Sequence, residues 1–125
     1  MMRDLSKLSE LRPGLIPVLG DARKPTVISP YLRDKVDWIH QDISVAEQTK
    51  SFLKISDIFL KPNGIGLLSL KAASERWMEG GDDSRFKEAE EMINSSESVT
   101  LLDNIDISHF ESQHRIFVIK KIDLV

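Results

Sequence analysis

The eight residues IGLLSLKA, Ile65 to Ala72, are nearly all apolar up to Lys71. A run this short cannot cross a membrane as a helix, which takes about 20 apolar residues. Read as a strand, it has no polar face to turn to water, so it must lie inside a sheet covered on both sides. The rest of the chain therefore has to supply neighbouring strands and covering helices, and the period of its apolar residues switches repeatedly in the way this requires.

Leu5, Leu8 and Leu11 are spaced like one face of a helix, which Pro13-Gly14 stops. LIPVL, Leu15 to Leu19, reads as a short buried strand, with Pro17 marking an edge or an interrupted ladder. VDWIH, Val36 to His40, reads as a second strand ending at Gln41-Asp42. Ser44 then has the character of an N-cap, and Glu47 three residues on completes a capping box. The helix that follows carries Phe52, Ile55, Phe59 and Leu60 on one face and ends at Lys61-Pro62-Asn63-Gly64. After IGLLSLKA comes a polar loop, residues 73–81, containing Trp77. Asp82 or Asp83 caps a helix with Phe86, Ala89, Met92 and Ile93 on its apolar side. SVTLLDNI and HRIFVIKKI supply two more strands, joined by a short connection containing Phe110, and so are expected to pair antiparallel. The alternation predicts an α/β sheet with an antiparallel strand at one end.

Composition removes several classes of function. Of 125 residues, 41% are hydrophobic and 30% charged, the balance of a globular protein. There is no cysteine, hence no disulfide, thiolate metal site or cysteine nucleophile. The N-terminal MMRDLSKLSELRPG alternates charge with Leu and has no continuous apolar region, unlike a secretory signal. A net charge of -3 argues against strong autonomous binding to nucleic acid, which needs concentrated Lys and Arg. His40, His109 and His114 have no metal-ligand spacing, so no metal is expected.

In open parallel sheets ligands bind beyond the carboxyl ends of the strands. Gly20, Asp21 and Ala22 follow the first strand, Gln41 and Asp42 the second, and Lys71 closes the third. The strands thus deliver two carboxylates and one amine to one rim. Asp21 beside a small residue suits an adenine edge, although Asp at such a boundary is more often a turn residue. Lys71 lies next to buried surface, where desolvation would suit it to proton abstraction; the plainer expectation is a head that reaches solvent. A lone histidine such as His114, opening the last strand, is usually a surface residue.

Taken together, IPVLGDARKP, VDWIHQD, LLSLKA and HRIFVIKK stand in the order and spacing of the fibrillarin-like RNA 2′-O-methyltransferases, which the chain resembles over essentially its whole length. The archaeal form is the nearer match in its GDARKP wording and in having no glycine/arginine-rich extension. The resemblance implies a Rossmann-like class I methyltransferase sheet, mostly parallel with an antiparallel last strand, and S-adenosylmethionine as the methyl donor. Asp21 and Ala22 match the pair that contacts the donor's adenine. Asp42, Ile43, Ser44 and Val45 match the family's Asp-Val-Ala-Gln, and Gln48 matches a second glutamine. Val45 stands where the first glutamine would be, so one amide contact to the donor is lost. Of the family's catalytic Lys, Asp, Lys and His, the last three match Asp42, Lys71 and His114. The implied partners are a guide RNA, a target rRNA or tRNA, and the Nop-type scaffold and kink-turn-binding protein of a box C/D ribonucleoprotein. An archaeal-type cytoplasmic location follows.

The family's glycine-rich donor loop, its ribose-holding acidic residue and its first catalytic lysine lie upstream of a helix resembling MMRDLSKL and have no counterpart in this sequence. Residues 1–125 are therefore expected to be the C-terminal part of such a domain, lacking the first two strands of its sheet. Those strands would sit between LIPVL and VDWIH, so VDWIH is expected to present an unpaired apolar edge. The chain alone is expected to be inactive. The competing expectation is a non-catalytic fibrillarin-like module that docks on the Nop-type scaffold. An unrelated nucleotide-binding α/β domain would leave GDARKP a coincidence.

Overall fold

A continuous apolar strand needs a hydrogen-bonded neighbour on each edge, and IGLLSLKA has both in the computed structural model, which describes residues 2–43, 46–72, 82–110 and 113–123. In chain order the elements are α1 (Met2–Leu11), α2 (Pro25–Ile28), a 3-10 turn (Ser29–Tyr31), β1 (Val36–Gln41), α3 (Gln48–Phe59), β2 (Leu60–Lys71), α4 (Asp82–Ser95), β3 (Val99–Asp106) and β4 (His114–Lys121). They fall into two compact units, Met1–Arg33 and Asp34–Val125.

The second unit holds a four-stranded sheet in the order β1-β2-β4-β3. β1 runs parallel to β2, while β4 runs antiparallel to both β2 and β3. Three strands therefore point one way and the last is reversed, as the sequence suggested. Its place differs from the expectation: the reversed strand lies inside the sheet, and β3 forms the edge beyond it. The burial of each strand explains this. Phe117 and Ile119 of β4 are fully buried, whereas Leu102 and Ile105 of β3 are exposed.

The core occupies one face of this sheet. Leu68 and Leu70 of β2, with Phe117 and Ile119 of β4, meet Phe52 of α3 and Phe86, Ala89 and Ile93 of α4. Phe52 comes so close to the sheet that Gly66 has no room for a side chain: a Cβ there would stand 3.0 Å from Phe52 Cζ and 2.9 Å from Ile119 Cγ1. At the far end of α3, the buried Lys121 of β4 donates from Nζ to the carbonyls of Ser56 (3.3 Å) and Asp57 (2.7 Å). A cation there meets both the unsatisfied carbonyls and the negative end of the helix dipole.

Several local expectations are corrected. LIPVL forms no strand and is not buried: Ile16 is 55% and Leu19 86% exposed. A strand is held by its ladder, and no strand pairs with this run among the described residues. α3 begins at Gln48, with Glu47 as its N-cap in a left-handed conformation (φ 55) and without a side-chain cap. Glu47 therefore does not occupy the third helical position that a capping box needs. Ser44, the expected cap, lies outside the described residues, as do Val45 and the loop containing Trp77. Leu60, expected on the helix, is the first residue of β2, and Lys61-Pro62-Asn63-Gly64 is a bulge within that strand. The register there jumps from Val36↔Leu60 to Trp38↔Ile65, and Asn63 has φ 67. Proline is tolerated at such an interruption because no ladder bond is asked of it.

Among the described residues β1 is an edge strand of the sheet, with Trp38 56% exposed. In the first unit α1 ends where Pro13-Gly14 predicted, with Gly14 at φ 92. Among the described residues no helix is long and apolar enough to cross a membrane.

The close approach at Gly66 yields a stability test. Gly66→Ala should cost about 1–3 kcal/mol by overpacking. Phe52→Ala, which empties the same contact, should cost about 3–5 kcal/mol. Urea unfolding followed by circular dichroism should show both midpoints lowered, Phe52→Ala the further.

Candidate active site

The sheet's pairing decides which strand ends meet. Because β4 is antiparallel to β2, its first residue lies against the last of β2, and Lys71 is the cross-strand partner of His114. Directly opposed residues share a face, with Cβ atoms roughly 4.5–5.5 Å apart. The pairing continues one step further through the Ala72 N–H, which donates to the Gln113 carbonyl at 3.1 Å. On the other edge of β2, the parallel ladder with β1 ends at Gln41↔Leu68. Asp42 is the next residue, and Lys71 stands three residues beyond Leu68. Asp42, Lys71 and His114 therefore gather at one end of the sheet, on three adjacent strands.

Their exposures meet the plainer expectation for Lys71 and invert that for His114. Lys71 is exposed, so its amine reaches solvent despite the apolar run before it. His114, expected at the surface, is only 8% exposed. Asp42 is exposed and Ile43 half-buried, while Ser44 and Val45 lie outside the described residues.

Polar groups fill the space between these strand ends. His40 Nε2 and Ser69 Oγ lie 3.1 Å apart. Gln41 Nε2 donates to the Gln48 carbonyl at 3.1 Å, and Gln48 Nε2 donates to the Ser69 carbonyl at 3.2 Å. Gln48 was legible in the sequence only through the resemblance. Its position, four residues before Phe52 on the apolar stripe, was the signal that a buried amide sits there. Next to His114, Arg115 anchors the start of β4. Its Nη1 donates to Asn104 Oδ1 at 3.3 Å, and its guanidinium stacks 5.4 Å from the centre of the Phe86 ring.

In the first unit, GDARKP is a tight turn. The Lys24 N–H donates to the Asp21 carbonyl at 3.0 Å, and Pro25 opens α2 with its preset φ. Gly20 is required by crowding, since a Cβ there would lie 2.6 Å from Val27 Cγ1. The Asp21 carboxylate accepts from the Arg23 backbone N–H (3.0 Å), Nε (3.0 Å) and Nη2 (2.9 Å). Those bonds hold its carboxyl down to about 2, the side-chain bond to Arg23 being the largest cause and the backbone bond the next. Both Asp21 oxygens are thus engaged within the turn, while Ala22 beside it is exposed.

A parallel strand pair continued by a reversed strand and a parallel edge, with charged residues at the carboxyl rim, is one side of a Rossmann-like class I methyltransferase sheet. The Fibrillarin family model matches residues 1–123, and the chain belongs to that family. It is 33% identical over 120 residues to the fibrillarin-like rRNA/tRNA 2′-O-methyltransferase of Methanocaldococcus jannaschii, covering 94% of this chain and 50% of that protein. The chain thus spans about half the length of the curated relatives it matches. The solved Methanococcus jannaschii fibrillarin pre-rRNA processing protein superposes with a TM-score of 0.83 at 32% identity, over 96% of this chain and 51% of that one. A fibrillarin/Nop5p complex gives 0.84 at 24% identity, over 96% and 56%. Aeropyrum pernix fibrillarin with natively bound S-adenosyl-L-methionine gives 0.73 at 23%, over 94% and 50%. At these last two identities the likeness is one of fold.

The Asp21 turn makes a direct prediction. A folded carboxyl held low stabilises the turn above the ordinary carboxylate range, and that contribution is lost as pH falls through about 2. Carbon-detected NMR titration should give Asp21 that midpoint, and Arg23→Ala should return it toward 3.8.

Proposed function

We propose that this chain is the catalytic C-terminal part of an S-adenosylmethionine-dependent RNA ribose 2′-O-methyltransferase, acting on rRNA or tRNA within a box C/D guide ribonucleoprotein. The reading is carried by one observation: Lys71 opposes His114 in the β2–β4 register, and Asp42 follows the last β1–β2 pair. A base, a carboxylate and an imidazole at one strand rim are the groups that ribose methylation asks for.

In each unit taken by itself, the residues present fit part of a donor site. Asp42 presents an exposed carboxylate, with the half-buried Ile43 beside it. Ala22 offers an adenine edge room and a backbone N–H, since the neighbouring carboxylate already holds Arg23. When bound, the donor supplies an electrophilic methyl group on a sulfonium. The exposed Lys71 amine takes the 2′-hydroxyl proton, or as ammonium stabilises the alkoxide that develops. Asp42 orients that amine. His114, held in place by burial, sets the ribose against Lys71. In-line displacement forms the ribose O–methyl bond and breaks the sulfur–methyl bond, releasing a neutral thioether.

Guide and target RNA would be held by partners, the Nop-type scaffold and the kink-turn-binding protein, which accords with a net charge of -3 on this chain. The exposed apolar side chains of the first unit, Leu11, Ile16 and Leu19, favour a second reading in which the chain serves as a docking module without donor chemistry.

Calorimetric titration with S-adenosylhomocysteine separates the two. The catalytic reading expects binding, with Asp42→Asn weakening it roughly ten-fold, about 1.4 kcal/mol. Scaffold binding without any heat from S-adenosylhomocysteine would select the docking module. Purified 1–125 without partners should transfer no measurable methyl group to RNA.

A further inference from the structure

We propose that Gln48 is a positioning residue that sets the spacing between the carboxyl ends of β1 and β2, and with them Asp42 and Lys71. What those ends do rests on the functional reading above; the tie itself rests on geometry.

Gln48 is fully buried on the stripe of α3 that also carries Phe52, Ile55 and Phe59. A buried amide on an apolar stripe is costly unless it is bonded, so its bonds explain why it is there. They run in two directions. The side-chain Nε2 donates to the Ser69 carbonyl of β2, two residues before Lys71. The backbone carbonyl accepts from Gln41 Nε2, at the last residue of β1 and next to Asp42. The β1–β2 ladder stops at Gln41↔Leu68, so the two strands have no registered pair beyond it. Gln48 takes over where the ladder ends, with one bond to each strand. From the opposite face Ser69 Oγ meets His40 Nε2, so the same residue of β2 is held a second time to β1.

The amide cannot serve in reverse. The Ser69 carbonyl only accepts, so nitrogen must face it, and Oε1 is left buried with no hydrogen-bond donor among the described residues. That open acceptor weighs against a residue kept for burial alone, because an apolar side chain of similar size would fill the space without it. A glutamate would turn oxygen toward oxygen. Asparagine would fall one methylene short.

Amide hydrogen exchange by NMR on the full 125-residue chain tests the tie. Gln48→Met keeps the volume and removes the donor; Ile93→Val, remote from the strand ends, serves as a control for general destabilisation. Gln48→Met should speed exchange at Leu70 and Ala72 roughly ten-fold beyond the change at Ile65 and Val118, while the control shifts both sets alike. Equal changes at both sets, or none, would overturn the proposal. If Gln48→Met does not fold, Gln41→Leu, which cuts only the β1 bond, should loosen Asp42 and Ile43 and spare Ala72; loosening neither overturns it equally. S-adenosylhomocysteine titration of the wild-type chain keeps the two questions apart. No binding with selective loosening would remove the functional reading and leave the tie standing, and binding without selective loosening would do the reverse.

Discussion

The antiparallel pairing of β4 against β2 is the constraint on which the rest of this structure depends. It gives the apolar strand its second neighbour, completes the core through Phe117 and Ile119, and in the same register sets His114 opposite Lys71. A parallel neighbour in that position would have sent its first residue to the opposite end of the sheet. Core and candidate site are thus products of one set of backbone hydrogen bonds, and the site needs no special loop to bring its histidine home.

The two faces of the sheet divide the labour. One face is closed by Phe52, Phe86, Ala89 and Ile93. The candidate site residues sit at strand termini, where ladders stop and backbone groups come free. Polar side chains there, Gln41, Gln48, Ser69 and His40, take up the bonding the ladder gives up. Rigidity is in this way carried almost to the rim, where oriented side chains are wanted.

The central strands were the easiest to read, because continuous apolar runs have few alternatives, although the face of β2 away from the core is only partly covered, at Ile65 and Leu67. The helix of Phe86, Ala89 and Ile93 was legible from its period. LIPVL misled for the same reason: an apolar run reports a tendency to be buried, while a strand also needs a partner. The start of α3 misled because Ser44 and Glu47 have cap-like spacing, yet Glu47 adopts a left-handed backbone that begins the helix later. At the site, the sequence order of Asp42, Lys71 and His114 could be read, but the burial of His114 could not. Lys71 ends an apolar run and still reaches water, because it alternates with Leu70 and Ala72, both buried in the core, and so turns to the other face of the sheet. Asp21 was matched to an adenine contact, and its neighbour Arg23 claims both oxygens; a cation two residues away was the visible sign.

Lys121 closes α3 from a strand more than sixty residues further along the chain. The helix is therefore made early in synthesis but sealed late, after β4 has found its place beside β2. Until then its last turn keeps bare carbonyls and frays readily. This arrangement ties the ripening of a local element to the most distant pairing in the fold, so that the second unit matures as a whole and not piecemeal.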